Sequence, residues 1–156
     1  MVEPATLQKH SLFGGLLEEQ IKMILPLMEH EQYQPGDVIL VEGTTNDKIF
    51  FIVEGRVSII RGNKIIYDLS EGNTFGEMEV LDIMPSAATV KAVTNVTAMS
   101  ISFKSLREIY HNDIKSFSLL LMNLARDLSR RLRIANEIML DGKIYDLYSS
   151  ALFTDR

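Results

Sequence analysis

The 156-residue chain contains no cysteine. That absence excludes disulfides, thiolate metal centres, iron–sulfur clusters and cysteine nucleophiles, and it suits a reducing, cytoplasmic setting. Positive charge is also short: 16 Lys and Arg stand against 21 Asp and Glu, a net charge of −5. Such a balance argues against a whole-surface nucleic-acid binder, although a local basic patch survives the average. No apolar run approaches the roughly 18–20 residues of a membrane span, and residues 1–10 lack the basic-then-apolar order of a signal peptide. The chain is therefore expected to be cytoplasmic, with no membrane partner. Enzyme signatures are missing as well. His10, His30 and His111 lie far apart with no acidic residue at metal-ligand spacing, and surface or helix-end roles suit them better than ligation. There is no nucleophile elbow, no phosphate-cradling Gly-x-x-x-x-Gly-Lys and no distinctive carboxylate pair. No catalytic residue, metal or cofactor is expected.

What is present divides the chain by hydrophobic period. Leu17, Ile21, Ile24, Leu25 and Met28 recur at helical spacing. Pro26, which lacks an amide hydrogen, should end or kink that helix. Gly14-Gly15 mark a turn before it. From about residue 31 to 102, short β-rich runs alternate with turn signals about every ten residues, as in an antiparallel sandwich or barrel. The runs are 38–41, 49–53, 57–60, 65–69, 88–93 and 96–101. Arg61-Gly62-Asn63-Lys64 is a hairpin signal between two of them.

Beyond Phe103 the period returns to 3.6. A short helix is expected over 105–110 and a long one from about Ile114 to Leu140, roughly 40 Å at 1.5 Å per residue. Phe117, Leu121, Leu124, Leu128, Leu132, Ala135 and Met139 advance by threes and fours, close to a heptad seam. Such a helix outruns the small domain beside it. The stripe either packs wholly on its own barrel or forms a two-fold dimer seam, and the second reading is favoured. The tail, 141–156, carries Ile144, Tyr145, Leu147, Tyr148, Leu152 and Phe153 and suggests a further amphipathic segment or a frayed end.

The informative stretch runs from Glu71 to Val90. A β-rich run ends, Gly76 opens a very short helix over 76–81, and a loop returns the chain to a strand. Amides at the helix start, with a glycine beside them, suit a phosphate. Glu77 next to them suits a sugar hydroxyl, which donates to a carboxylate. An ordinary turn with a helix-favouring Glu fits the same spacing.

With these residues in view, the chain resembles the cyclic nucleotide-binding domain family, that of the protein kinase A regulatory subunits and the catabolite activator lineage. The resemblance covers roughly residues 12–140. It rests on Pro35-Gly36-Asp37 to Glu42-Gly43, on Phe51-Ile52-Val53-Glu54-Gly55-Arg56-Val57, and on the phosphate-binding cassette Phe75-Gly76-Glu77-Met78 to Pro85-Ser86-Ala87-Ala88-Thr89-Val90. It implies a mainly β fold with flanking helices: a β-roll, or double-stranded jelly roll, with N-terminal helices and a long C-terminal helix over about 114–140. The domain would span 1–140, followed by the 141–156 tail. In the family, the ligand sits between cassette and long helix. The position of Gly76 gives a backbone contact, that of Glu77 binds the ribose 2′-hydroxyl, and amides near Ala87 and Ala88 hold the phosphate.

The departure is Ser86, where the family carries an arginine against the phosphate. A hydroxyl does not replace a guanidinium fork. A hydrogen bond to a charged group contributes about 1.5–3 kcal/mol, so affinity should fall roughly ten- to more than a hundredfold. Arg126, Arg130 and Arg131 on the long helix are candidate substitutes, if they face the cassette. Otherwise they form a solvated face: with Arg133 and Asp127 they give that stretch a net +3, which suits an acidic protein partner. Only sixteen residues follow Leu140, too few for the helix-turn-helix domain of the bacterial activators, so no direct DNA binding is expected. Two functions follow. One is a regulator that senses cyclic AMP, cyclic GMP or a related ligand and signals through the long helix, commonly as a homodimer. The other is a degenerate, non-binding domain that serves as a homodimeric interaction or scaffold module.

Overall fold

The computed structural model describes residues 3–140. The chain begins with α1 (Pro4–Leu7), a single 3-10 turn at Ser11–Phe13, and α2 (Glu18–Ile24). α2 gives way to a 3-10 turn at Leu25–Leu27, directly before and through Pro26. The helix therefore stops where proline's missing amide predicts. Eight strands follow: β1 (Glu29–Tyr33), β2 (Val38–Leu40), β3 (Lys48–Glu54), β4 (Arg56–Arg61), β5 (Lys64–Ser70), β6 (Thr74–Phe75), β7 (Thr89–Ala92) and β8 (Val96–Ser102). Between β6 and β7 lies α3 (Glu77–Asp82), and after β8 come α4 (Phe103–Asn112) and α5 (Ile114–Ile138).

The strands form two four-stranded antiparallel sheets, ordered β1-β8-β3-β6 and β2-β7-β4-β5. This is the expected β-roll with flanking helices. Side-chain alternation on β3 explains the layers. Phe50 and Ile52 point into the space between the sheets, with Val57, Ile59, Leu69, Phe75, Val90, Val96 and Ala98. Ile49 and Phe51 point the other way, into a second core built with Leu7, Phe13, Ile21, Leu106, Leu120 and Leu124 of the helical layer. Because successive strand residues face opposite sides, a strand buried on both faces reads as a continuous apolar run. Lys48 to Glu54 is such a run. The β4–β5 hairpin closes as its sequence predicts: Arg61 pairs with Lys64, and Gly62 takes a φ of +57°.

Two strands escaped the sequence reading. β6 is only two residues long. β1, Glu-His-Glu-Gln-Tyr, has no apolar alternation because its inward position is polar. Glu31 accepts hydrogen bonds from Ser100 Oγ at 2.6 Å, from Lys48 Nζ at 3.2 Å and from the Tyr33 hydroxyl. Burial pushes the Glu31 carboxyl up, but these donors together hold it below its ordinary value.

α5 starts where Asp113 caps it: the carboxylate accepts from the Lys115 amide at 3.1 Å and from Ser116 Oγ at 2.5 Å. It also accepts from Gln20 Nε2 at 3.0 Å, which ties α2 to the helix. Buried Asn123 donates to the carbonyls of Leu12 and Gly14, both at 2.9 Å. The first half of α5 is thereby fixed to its own domain. The apolar packing thins in the second half: Leu132 is 62% exposed, and Ile134 and Ile138 are exposed as well. The helical stripe thus packs on the barrel through Leu124 and leaves it beyond Leu128. The segment 141–156 lies outside the described residues.

The Glu31 cluster yields a prediction. A carboxylate with a depressed pKa adds stability above its unfolded value, and that stability fades as pH falls through the folded value. Glu31→Gln should cost about 1–2 kcal/mol at pH 7. Urea unfolding from pH 7 to pH 3 should show the gap between wild type and variant closing in the acid range.

Candidate functional site

The turn between β6 and β7 places the site. Gly76 caps α3 with a φ of +76°. A Cβ there would meet the Lys48 carbonyl at 2.7 Å and Asn46 Nδ2 at 2.8 Å. Glycine is therefore dictated by the close approach of α3 to β3, independently of any ligand. Asn46 fastens the turn by donating to the carbonyls of Lys48 (2.7 Å) and Gly76 (3.1 Å). At the far end of α3, Ile83 has a φ of +59°, the one non-glycine residue with positive φ among those described. A β-branched side chain is strained there, and this one is 85% exposed.

A cavity of about 220 Å³ opens between the cassette, the second sheet and α5. Of the residues predicted from sequence, it brings together Phe75, Gly76, Glu77, Met78, Ala87, Ala88 and Arg131. Ser86 is not among the lining residues. It is buried at 3% exposure, with its backbone held by the Thr44 carbonyl and the Gly43 amide, both at 2.8 Å. Its hydroxyl has no hydrogen-bond partner. Ile59, Arg61, Ile66, Tyr67 and Leu69 complete the wall from β4 and β5. The sequence reading missed them. The signal for Arg61 was available, since it stands two residues from inward-facing Ile59 on a strand.

The three candidate arginines separate. Arg126 donates to Asn123 Oδ1 at 3.1 Å, and exposed Arg130 lies 3.4 Å from Asp127. Both stay on the helix. Arg131 crosses to the cassette: Nη1 donates to Glu77 Oε1 at 3.0 Å, and Nη2 donates to the Thr74 carbonyl at 2.5 Å. Asp127 Oδ2 approaches Nη2 at 2.8 Å without a well-directed hydrogen bond. Arg131 thus pairs with the carboxylate, and the solvated-face reading fails for it.

Glu77 is 3% exposed, and its Oε2 has no partner. Burial raises its carboxyl pKa above the ordinary value. Arg131 opposes the rise, while Glu79 and Asp127 add to it. Arg131 serves both Glu77 and Asp127, exposed Arg130 also reaches Asp127, and with Glu79 nearby the carboxylates outnumber the guanidiniums. Oε2 is thus a buried acceptor with no donor, on a residue that lines the cavity.

A family model for the cyclic nucleotide-binding domain matches residues 30–113, more than half of the chain. This chain belongs to the cyclic nucleotide-binding domain family. Human cGMP-dependent protein kinase 2 is 31% identical over 132 residues, covering 78% of this chain and 17% of the kinase. The chain therefore spans about a sixth of the length of that relative. A cyclic nucleotide-binding domain from Methylobacillus flagellatus superimposes with a TM-score of 0.82 at 24% identity, covering 90% of this chain and 82% of that one. The catabolite activator protein of Thermus thermophilus gives a TM-score of 0.72 at 26% identity, over 84% of this chain and 62% of that one. Among the described residues no group of acidic or histidine side chains is placed to hold a metal ion, and no helix is long and apolar enough to cross a membrane.

The charge imbalance predicts unequal effects of the two partners. A raised carboxyl pKa favours folding at low pH, and that contribution is lost as pH rises through the folded value. Glu77→Gln should therefore leave stability at pH 7 unchanged or higher, with wild type gaining on the variant as pH falls. Arg131→Gln leaves buried Glu77 without its cation and should cost about 3 kcal/mol, lowering Tm by roughly 6–12 °C. Thermal denaturation of both variants checks the asymmetry.

Proposed function

We propose that this domain senses a cyclic nucleotide, cyclic AMP or cyclic GMP, or a related ligand, and reports its presence through α5 from a cytoplasmic setting. The observation that carries this reading is the Glu77–Arg131 pair. The carboxylate that the family directs at the ribose also holds the long helix, and its second oxygen is unpartnered. A ligand hydroxyl donating to Oε2 changes the charge felt by Arg131 across a single carboxylate. Such a ligand moves α5 only as far as its affinities for two helix placements differ.

The exposed apolar side chains in the second half of α5 support a homodimer, with Leu128, Leu132, Ala135 and Met139 forming the seam between two copies. This arrangement serves equally the alternative in which the pocket stays empty and the protein acts as a scaffold. That alternative is favoured by one feature, the buried and uncharged Ser86 at the position where the family places its phosphate arginine.

Two experiments separate them. Isothermal titration with cyclic AMP and cyclic GMP should give saturable binding, strengthened about tenfold or more by Ser86→Arg. At saturation, hydrogen exchange over residues 126–138 should change in wild type and not in Arg131→Gln. Unchanged exchange in a saturated wild-type domain leaves the scaffold reading in place. For the seam, Leu132→Glu should convert a dimer to a monomer in sedimentation velocity while retaining the folded β-roll by circular dichroism.

A further inference from the structure

The charged side chains that line the cavity come from two parts of the fold, the α5 side of the cassette and the β4–β5 hairpin. On the α5 side, Arg131 pairs with Glu77 and Asp127 and donates to the Thr74 carbonyl, with the charge of Glu79 also felt by Glu77. On the hairpin side stands Arg61, the last residue of β4. The register pairs Ile60 with Thr89, so Arg61 sits beside the stretch Ala87–Thr89 on the neighbouring strand. Arg61, Ala87 and Ala88 line the same cavity. Among the described residues Arg61 makes no ion pair. Glu42, beside the hairpin, accepts from the Gly62 amide at 2.8 Å, and Lys64 pairs across from Arg61. Two cations and one carboxylate therefore surround that rim.

A cyclic nucleotide has the complementary polarity, with a hydroxyl donor on one edge of the ribose and an anionic phosphodiester on the other. With the hydroxyl at Glu77, the anion points away from the carboxylates on the α5 side. We propose that Arg61, reaching from the strand beside β7, supplies the charge toward the cyclic phosphate that Ser86 no longer provides. This rests on the reading that the cavity takes a cyclic nucleotide. It moves the phosphate's cation from the cassette to the β4–β5 hairpin. Arg61 is exposed, so its interaction is screened by salt more strongly than one made by a buried arginine.

The test compares cyclic AMP and cyclic GMP with the uncharged nucleosides adenosine and guanosine on wild type, Arg61→Gln and Arg61→Lys. Arg61→Gln should weaken the cyclic nucleotides roughly tenfold or more and leave the nucleosides unchanged. Arg61→Lys, which keeps the charge and loses the fork, should fall between. Raising the salt from about 0.05 to 0.5 M should weaken cyclic nucleotide binding in wild type and have little further effect in Arg61→Gln. Adding Ser86→Arg to Arg61→Gln should restore affinity. If wild type binds cyclic nucleotides and Arg61→Gln binds them equally well, Arg61 is not the cation and the ligand reading survives. An equal loss of nucleoside binding in Arg61→Gln assigns the residue a structural role and overturns the proposal. If wild type and Ser86→Arg bind none of the four, the ligand reading falls together with it.

Discussion

The site depends on a guanidinium reaching from one helix into a buried cluster of carboxylates. Arg131 lies two-thirds of the way along α5, beyond the point where Asn123 and Leu124 anchor the helix to its own domain. It is the ion pair that carries α5 across to the cassette. A charge removed from water is costly, and a pair offsets that cost only with good geometry and further hydrogen bonds. The Thr74 carbonyl supplies one such bond. The unpartnered Glu77 Oε2 and Arg131 Nε show that the compensation is incomplete. An under-satisfied buried pair is a poor way to stabilise a fold. It is a suitable way to keep a joint responsive to a polar guest.

The β-roll makes that joint possible by burying β3 and β8 on both faces. Phe50 and Ile52 fill the space between the sheets while Ile49 and Phe51 carry the helical layer. Phe50 stacks on Phe75 with ring centroids 4.8 Å apart. The start of the cassette is thus locked to the strand that also supports the helices. Gly76 tightens the same junction, because its contact with the Lys48 carbonyl leaves no space for a side chain. Cassette and helical layer share a single rigid strand. Against that support the outer half of α5 stands apart, with apolar side chains turned to solvent.

Much of this was legible beforehand. The β-rich runs, the hairpin at Gly62-Asn63, the helix break at Pro26 and the long helix from Ile114 all follow from local period and turn chemistry, and each lies where it was expected. The resemblance added the cassette, of which Phe75, Gly76, Glu77, Met78, Ala87 and Ala88 line the cavity and Ser86 does not. β1 was not legible, because Glu31 faces a polar cluster whose donors come from Ser100, Lys48 and Tyr33. A strand stabilised by distant hydroxyls and an ammonium leaves no hydrophobic alternation to read.

The sequence by itself determined the elements, the missing arginine at position 86 and the set of arginines that would be asked to replace it. Only the tertiary structure decided which of them arrives where. Arg126, Arg130 and Arg131 occupy one short stretch of helix, and periodicity puts Arg126 and Arg130 on one face and turns Arg131 away from them without showing what either direction meets. Arg61 lies seventy residues earlier on another strand, brought to the same cavity by the pairing of β4 with β7. Charge at a pocket is a sum over elements that meet in space. A linear reading carries the terms of that sum, and the packing of sheet against helix sets their distances.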